Sequence, residues 1–87
     1  MKNVKLLDFW APWCGPCKIM NPIIDELEKE LGGQVTFERI NVDEDPNQSS
    51  KYGVMSIPTY VVIKDEKEVG RKIGVTAKAE LLKLIQS

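Results

Sequence analysis

Histidine is absent from this sequence, and cysteine occurs only twice. Without histidine there is no Ser-His-Asp or Cys-His nucleophile system, and most zinc ligand sets are unavailable. Two neighbouring cysteines are also too few for the disulfide framework that staples small secreted domains. No stretch approaches the roughly 20 apolar residues needed to span a bilayer. The start, Met1-Lys-Asn-Val-Lys-Leu-Leu-Asp8, meets an acidic residue before any signal-type apolar segment develops, so the sequence reads as cytoplasmic. Charge of one sign is lacking too: 12 basic side chains face 13 acidic ones, with no like-charged block. Neither nucleic acid nor a membrane is therefore an expected partner. What remains is a chain of 87 residues, 43% hydrophobic, which suits a single domain over residues 1–87 with one modest core.

Hydrophobic patterning divides that chain into seven elements. Val4 to Trp10 is an apolar run of strand length, interrupted by Asp8. Ala11-Pro-Trp-Cys-Gly-Pro16 reads as a loop. Beyond it Met20, Ile24, Leu27 and Leu31 recur on one helical face, with Asp25, Glu26, Glu28, Lys29 and Glu30 toward water. Gly32 and Gly33 end the helix, and Pro22 inside it is expected to remove a hydrogen bond and introduce a kink. Gln34 to Val42 alternates as a strand, with Val35, Phe37, Ile40 and Val42 apolar and one phase slip near Glu38-Arg39.

Asp45-Pro46 has the form of an N-cap followed by a first-turn proline, and Gly53 closes that short helix. Thr59 to Ile63 and Glu68 to Ile73 read as a hairpin about the charged turn Lys64 to Lys67. Gly74 breaks the second strand, and Thr76 is the expected cap. Ala77 to Gln86 forms a last helix with Leu81, Leu82 and Ile85 inward. This order predicts an α/β fold, a four-stranded mixed sheet flanked by three helices. The first two strands should be parallel through a right-handed crossover and the last two antiparallel.

The two cysteines, Cys14 and Cys17, stand two residues apart at the predicted helix start. That spacing brings both sulfurs within disulfide range. It also sets the first thiol at the helix N-terminus, where unpaired N–H groups and the helix dipole stabilise a thiolate. Cys14 is thus the expected nucleophile, and Cys17, one turn inside, the resolving thiol. Two other readings accompany this one. Half of a zinc site would need ligands from a second chain, and a passive staple gains little because so short a loop holds little entropy.

Asp8-Phe-Trp-Ala-Pro-Trp-Cys-Gly-Pro-Cys17-Lys resembles the active-site segment of the thioredoxin family. The resemblance continues in order through Pro22, Asn41-Val-Asp43, Tyr52-Gly53-Val54, Ile57-Pro58-Thr59 and Gly74, covering nearly the whole chain. It implies a thioredoxin-like fold in which a cis Ile57-Pro58 peptide faces the dithiol. Trp13, Ile57, Pro58 and Gly74 would form an apolar docking surface around an exposed Cys14 sulfur. Gly15 and Pro16 would support the dithiol, and Trp10 would be core beneath it.

By the same resemblance Asp8 is the family's buried aspartate under the resolving cysteine, able to relay a proton to and from Cys17. Three departures stand out. Arg39 occupies the place of a lysine and, if it reaches Asp8, would hold the carboxylate charged and oppose the desolvation shift. The family's first strand and helix have no counterpart before Val4, which leaves Val35 to Val42 as an uncovered edge. Lys64-Asp-Glu-Lys67 lacks the family's turn glycine, so the hairpin loop is expected to differ.

The implied activity is reduction of protein disulfides, without a prosthetic cofactor and with electrons from a thioredoxin reductase. Gly-Pro between the cysteines resembles the reducing members. The protein is expected to be monomeric, an edge-strand dimer being the alternative. Two rival functions are a glutaredoxin-like, glutathione-dependent oxidoreductase and a non-catalytic binding subunit on the same frame.

Overall fold

The computed structural model describes residues 3–87. The elements follow the expected order: β1 (Val4–Trp10), α1 (Gly15–Leu31), β2 (Val35–Asn41), α2 (Pro46–Lys51), β3 (Thr59–Lys64), β4 (Lys67–Ile73) and α3 (Lys78–Gln86). The four strands form one mixed sheet in the order β2-β1-β3-β4. β1 runs parallel to β2 and antiparallel to β3, and β3 pairs antiparallel with β4. β2 is an edge strand, as expected.

Both faces of the sheet are covered. Val4, Leu6, Val35, Tyr60 and Val62 pack on one face against Met20, Ile24 and Leu27 of α1 and Leu81 and Ile85 of α3. Leu7, Phe9, Ile40, Val61 and Ile63 pack on the other, against Tyr52, Val54 and Ile57 around the end of α2. Burying each such aliphatic side chain stabilises the fold by about 1.5–3 kcal/mol.

This two-sided burial explains the phase slip in β2. The strand continues in register past Glu38 and Arg39. Val35 and Phe37 belong to the α1 face, whereas Ile40 and Val42 belong to the α2 face. The slip records a change of buried face and not a bulge.

α1 contains Pro22 within one continuous helix. Local details differ from expectation at two places. Thr76 does not cap α3: Ala77 is the N-cap, with no side-chain hydrogen bond. The Thr76 hydroxyl instead donates to the Gly74 carbonyl at 2.9 Å, and its N–H points at the Met20 sulfur at 3.3 Å. The β3–β4 turn is tighter than the four residues expected, since Lys64 pairs with Lys67 and only Asp65 and Glu66 lie between.

Those two residues have φ of 50° and 69°, the left-handed pair required by a two-residue hairpin whose twist matches its strands. Neither is glycine, so each is held in a conformation costing roughly 1 kcal/mol or more. Glu66→Gly is therefore expected to stabilise the domain by about 1 kcal/mol. Chemical denaturation would show this as a raised midpoint at unchanged slope. A lowered midpoint would mean that the loop gains more from Glu66 than its backbone strain costs.

Candidate active site

The β1–α1 connection builds the dithiol. After β1 the chain turns, with the Cys14 N–H donating to the Ala11 carbonyl at 3.1 Å. Cys14 is the N-cap of α1, in an extended conformation at φ −88° and ψ 110°. Gly15 and Pro16 are the first two helical residues and Cys17 the third. An N-cap side chain ordinarily accepts from the third helical N–H through oxygen. Here sulfur takes that role, and the Cys17 N–H donates to Cys14 Sγ at 3.2 Å. Proline in the first turn needs no donor and is already set for the helix. Nothing local requires glycine at Gly15, where a Cβ would meet no atom within 4 Å.

Cys14 and Cys17 are joined by a disulfide, with their Cα atoms 5.3 Å apart. As whole residues the two are covered almost equally, Cys14 being 4% exposed and Cys17 3%. Both pack with Ala11, against Trp10, Val42 and Ile57. This cover enfolds the N-cap residue as closely as the helical one. Position at the helix N-terminus, and the N–H aimed at it, therefore distinguish Cys14. Trp10 lies in this layer as expected, with its indole nitrogen buried and without a hydrogen-bond partner among the described residues.

Two further loops converge on the pair. The Ile57-Pro58 peptide is cis. Pro58 is buried, and Ile57 packs against the cluster that holds both cysteines. The Pro58 carbonyl accepts from the Gly74 N–H at 2.8 Å, tying the end of β4 to this loop. Gly74 sits at φ 84° with open space where a Cβ would point, so backbone conformation and not crowding calls for glycine. Trp13 is 67% exposed, and its indole N–H donates to Asp43 Oδ2 at 2.7 Å. Asp43 is in turn oriented by its own N–H on Asn41 Oδ1 at 2.9 Å.

Trp13 and Ile57 form two walls of an open groove of about 550 Å³ whose lining includes Val42, Pro46, Val54 and Met55. Met55 is 96% exposed, and Ile73 and Val75 beside Gly74 are also exposed apolar residues. Sequence reasoning missed Asp43, Met55, Ile73 and Val75. The signals were present in Asn41-Val-Asp43 after β2 and in apolar residues flanking Pro58 and Gly74 that no core face needed.

Asp8 lies near the end of β1 on the face that α1 covers, two residues beyond Leu6, and is 3% exposed. Burial pushes the Asp8 carboxyl from 3.8 up to about 6, and the Arg39 charge partly opposes it. Arg39 thus opposes the desolvation shift, as expected, without cancelling it. Although Arg39 is the register partner of Asp8, its guanidinium reaches Asp25 at 2.6 Å and Glu28 at 3.1 Å on α1. Desolvation wins because the arginine's hydrogen bonds are given to the helix. Among the described residues no group of three or more His, Cys, Asp or Glu side chains is arranged to hold a metal ion.

A helix-start dithiol beside a cis-proline loop, on a four-stranded mixed sheet, defines a thiol–disulfide oxidoreductase of the thioredoxin-like class. A sequence model of the thioredoxin family matches residues 1–87. The thioredoxin of Rickettsia conorii is 52% identical over 77 residues, covering 88% of this chain and 73% of the relative. That of Bacillus subtilis is 46% identical over 84 residues, covering 97% and 81%. Among solved structures, a mutant thioredoxin of Halobacterium salinarum superposes with a TM-score of 0.89 at 34% identity, covering 98% of this chain and 74% of that one. Fasciola hepatica thioredoxin gives 0.88 at 38% identity, covering 97% and 79%. The chain belongs to the thioredoxin family, and its activity is thiol–disulfide exchange.

Proposed function

We propose that this protein is a cytoplasmic, monomeric reductant of protein disulfides in which Cys14 attacks and Cys17 resolves. The observation that carries the assignment is the Cys17 N–H aimed at Cys14 Sγ at the start of α1. In the reduced protein the same N–H and the helix dipole stabilise a Cys14 thiolate. That thiolate attacks one sulfur of a target disulfide, and the other target sulfur leaves as a thiolate. Cys17 then gives up its proton and attacks Cys14 Sγ, closing the intramolecular disulfide and expelling the second target thiolate. Two electrons pass to the target, whose two thiolates take their protons from solvent.

Asp8 is the group that takes the Cys17 proton and returns it on re-reduction. A carboxyl near 6 is matched to proton transfer close to neutral pH. Trp13, Ile57, Pro58 and Gly74 dock an extended segment of the target, with Met55 enlarging the apolar wall. Re-reduction falls to a thioredoxin reductase. At the open edge of β2, an ion pair between Lys5 and Glu38 works against strand pairing with another copy.

The dithiol's reduction potential against glutathione tests this reading. A reductant is expected near the general thioredoxin value of about −270 mV, taken over from the family, whereas about −120 mV marks a strong oxidant and would overturn it. Replacing both cysteines by serine separates the rival class, since a binding subunit keeps its function without the thiols.

A further inference from the structure

The groove walled by Trp13 and Ile57 is edged by three carboxylates. Its lining is apolar apart from serine hydroxyls, and no charged side chain belongs to it. Val42 and Pro46, both in that lining, are joined by Asp43-Glu44-Asp45, so three successive acidic residues border the groove. The turn that carries them is fixed by its backbone, the Glu44 and Asp45 N–H groups both donating to the Asn41 carbonyl at 3.1 and 3.0 Å. Asp43 is tied to the wall itself through the Trp13 indole N–H. Asp45 accepts the Gln48 N–H at 3.3 Å as the cap of α2. All three are exposed, and among the described residues none of them forms an ion pair. The acidic residues of α1 and α3, by contrast, are all paired, with Arg39, Lys72, Lys78 and Lys83. Lys51, the basic residue of α2, stands over the Tyr52 ring instead.

We propose that this groove selects its targets by charge: the preferred substrates are disulfides in segments that set an apolar side chain beside the reacting cysteine and a lysine or arginine next to it. The inference names the substrate class of the docking surface described above and rests on that reading. An apolar wall discriminates only weakly among aliphatic side chains. The acidic edge adds what the wall lacks. A cationic group brought beside Asp43, Glu44 and Asp45 is attracted, and an acidic group in the same place is repelled. Because the three carboxylates are exposed, each contact is worth little but carries no large desolvation cost. Their main effect is on encounter, since like charges at the mouth of a low-dielectric groove concentrate oppositely charged segments there. The net charge of the chain is only −1, so the attraction comes from placement and not from general acidity. A second acidic pair outside the ion pairs, Asp65-Glu66, lies in the β3–β4 turn, at the far end of β3 from Pro58. It supplies an internal control.

The test compares two peptide disulfides of equal length, each with leucine beside the cysteine, one flanked by lysines and the other by glutamates. The reduced full-length protein is mixed with each, and the second-order rate of reduction is read from the peptide thiol released. At low salt the lysine peptide should react about tenfold faster than the glutamate peptide. The ratio should fall to about twofold or less near 1 M salt, where screening acts within about 3 Å. In Glu44→Gln/Asp45→Asn, whose asparagine keeps the α2 cap, the low-salt ratio should drop to about threefold or less. Asp65→Asn/Glu66→Gln removes the same charge from the distant turn and should keep the wild-type ratio. Equal rates for the two peptides at low salt overturn the proposal. So does a preference that survives in the first variant, or one lost equally in the second, which would make it an effect of net charge. If neither peptide is reduced, the reductase reading fails. Binding of the same peptides with serine for cysteine, followed on the Trp13 indole N–H resonance, still decides whether the acidic edge selects charge.

Discussion

Cys14→Ser is expected to abolish disulfide reduction, by about 10³-fold or more, as when any covalent nucleophile is removed. Cys17→Ser should instead stop the reaction halfway, with the protein accumulating as a mixed disulfide to its target. The asymmetry follows from position in the helix start. Cys14 caps α1 and receives the Cys17 N–H, whereas Cys17 is the third residue of the helix and has Cys14 as its disulfide partner. A serine at position 14 preserves the cap, since oxygen accepts that N–H as well as sulfur does, but its hydroxyl offers no thiolate near neutral pH. A serine at position 17 cannot expel the target from Cys14 Sγ, so the first half-reaction persists. Mass spectrometry of each variant after incubation with a disulfide-bonded protein checks both outcomes. Mixed disulfides trapped on Cys17 in Cys14→Ser, and none on Cys14 in Cys17→Ser, would reverse the assignment.

The parts of this arrangement that were legible in the sequence are those set by local chemistry. Cys14-Gly-Pro-Cys17 carries its own spacing, Asp45-Pro46 its own cap, and Met20, Ile24 and Leu27 their own helical face. Asp8 stood out because a carboxylate inside an apolar strand has few explanations. What was not legible depends on which elements meet across space. Arg39 was read against Asp8 alone, but the carboxylates that receive its guanidinium lie on α1, and only the packing of α1 over β2 brings them together. Thr76 looked like a cap because threonine often is one, yet its hydroxyl turns back to Gly74. The role of Asp43 needed the end of β2 to lie beside the loop carrying Trp13.

Asp8→Asn is expected to stabilise the protein by about 3 kcal/mol at pH 8 and to change nothing at low pH. The carboxyl ionises near 3.8 in an ordinary setting and near 6 when folded, a difference of roughly two units at about 1.4 kcal/mol each. Between those values the folded protein holds a proton that the unfolded chain has already lost. Wild-type stability should therefore fall as the pH rises through this window, and the full cost should be present above it. Below about 4 both states are protonated and the cost disappears. Asparagine has the same shape and never ionises, so its melting temperature should exceed that of the wild type by about 10–20 °C at pH 8, converging at acid pH, for a domain of this size. Thermal melts of both proteins from pH 4 to pH 8 measure the difference directly. A constant gap across that range would show that the asparagine acts through packing. A gap that opens with pH would instead mean that the charged carboxylate under α1 is a standing destabilisation, tolerated at the place where the exchange reaction needs a proton taken up and returned.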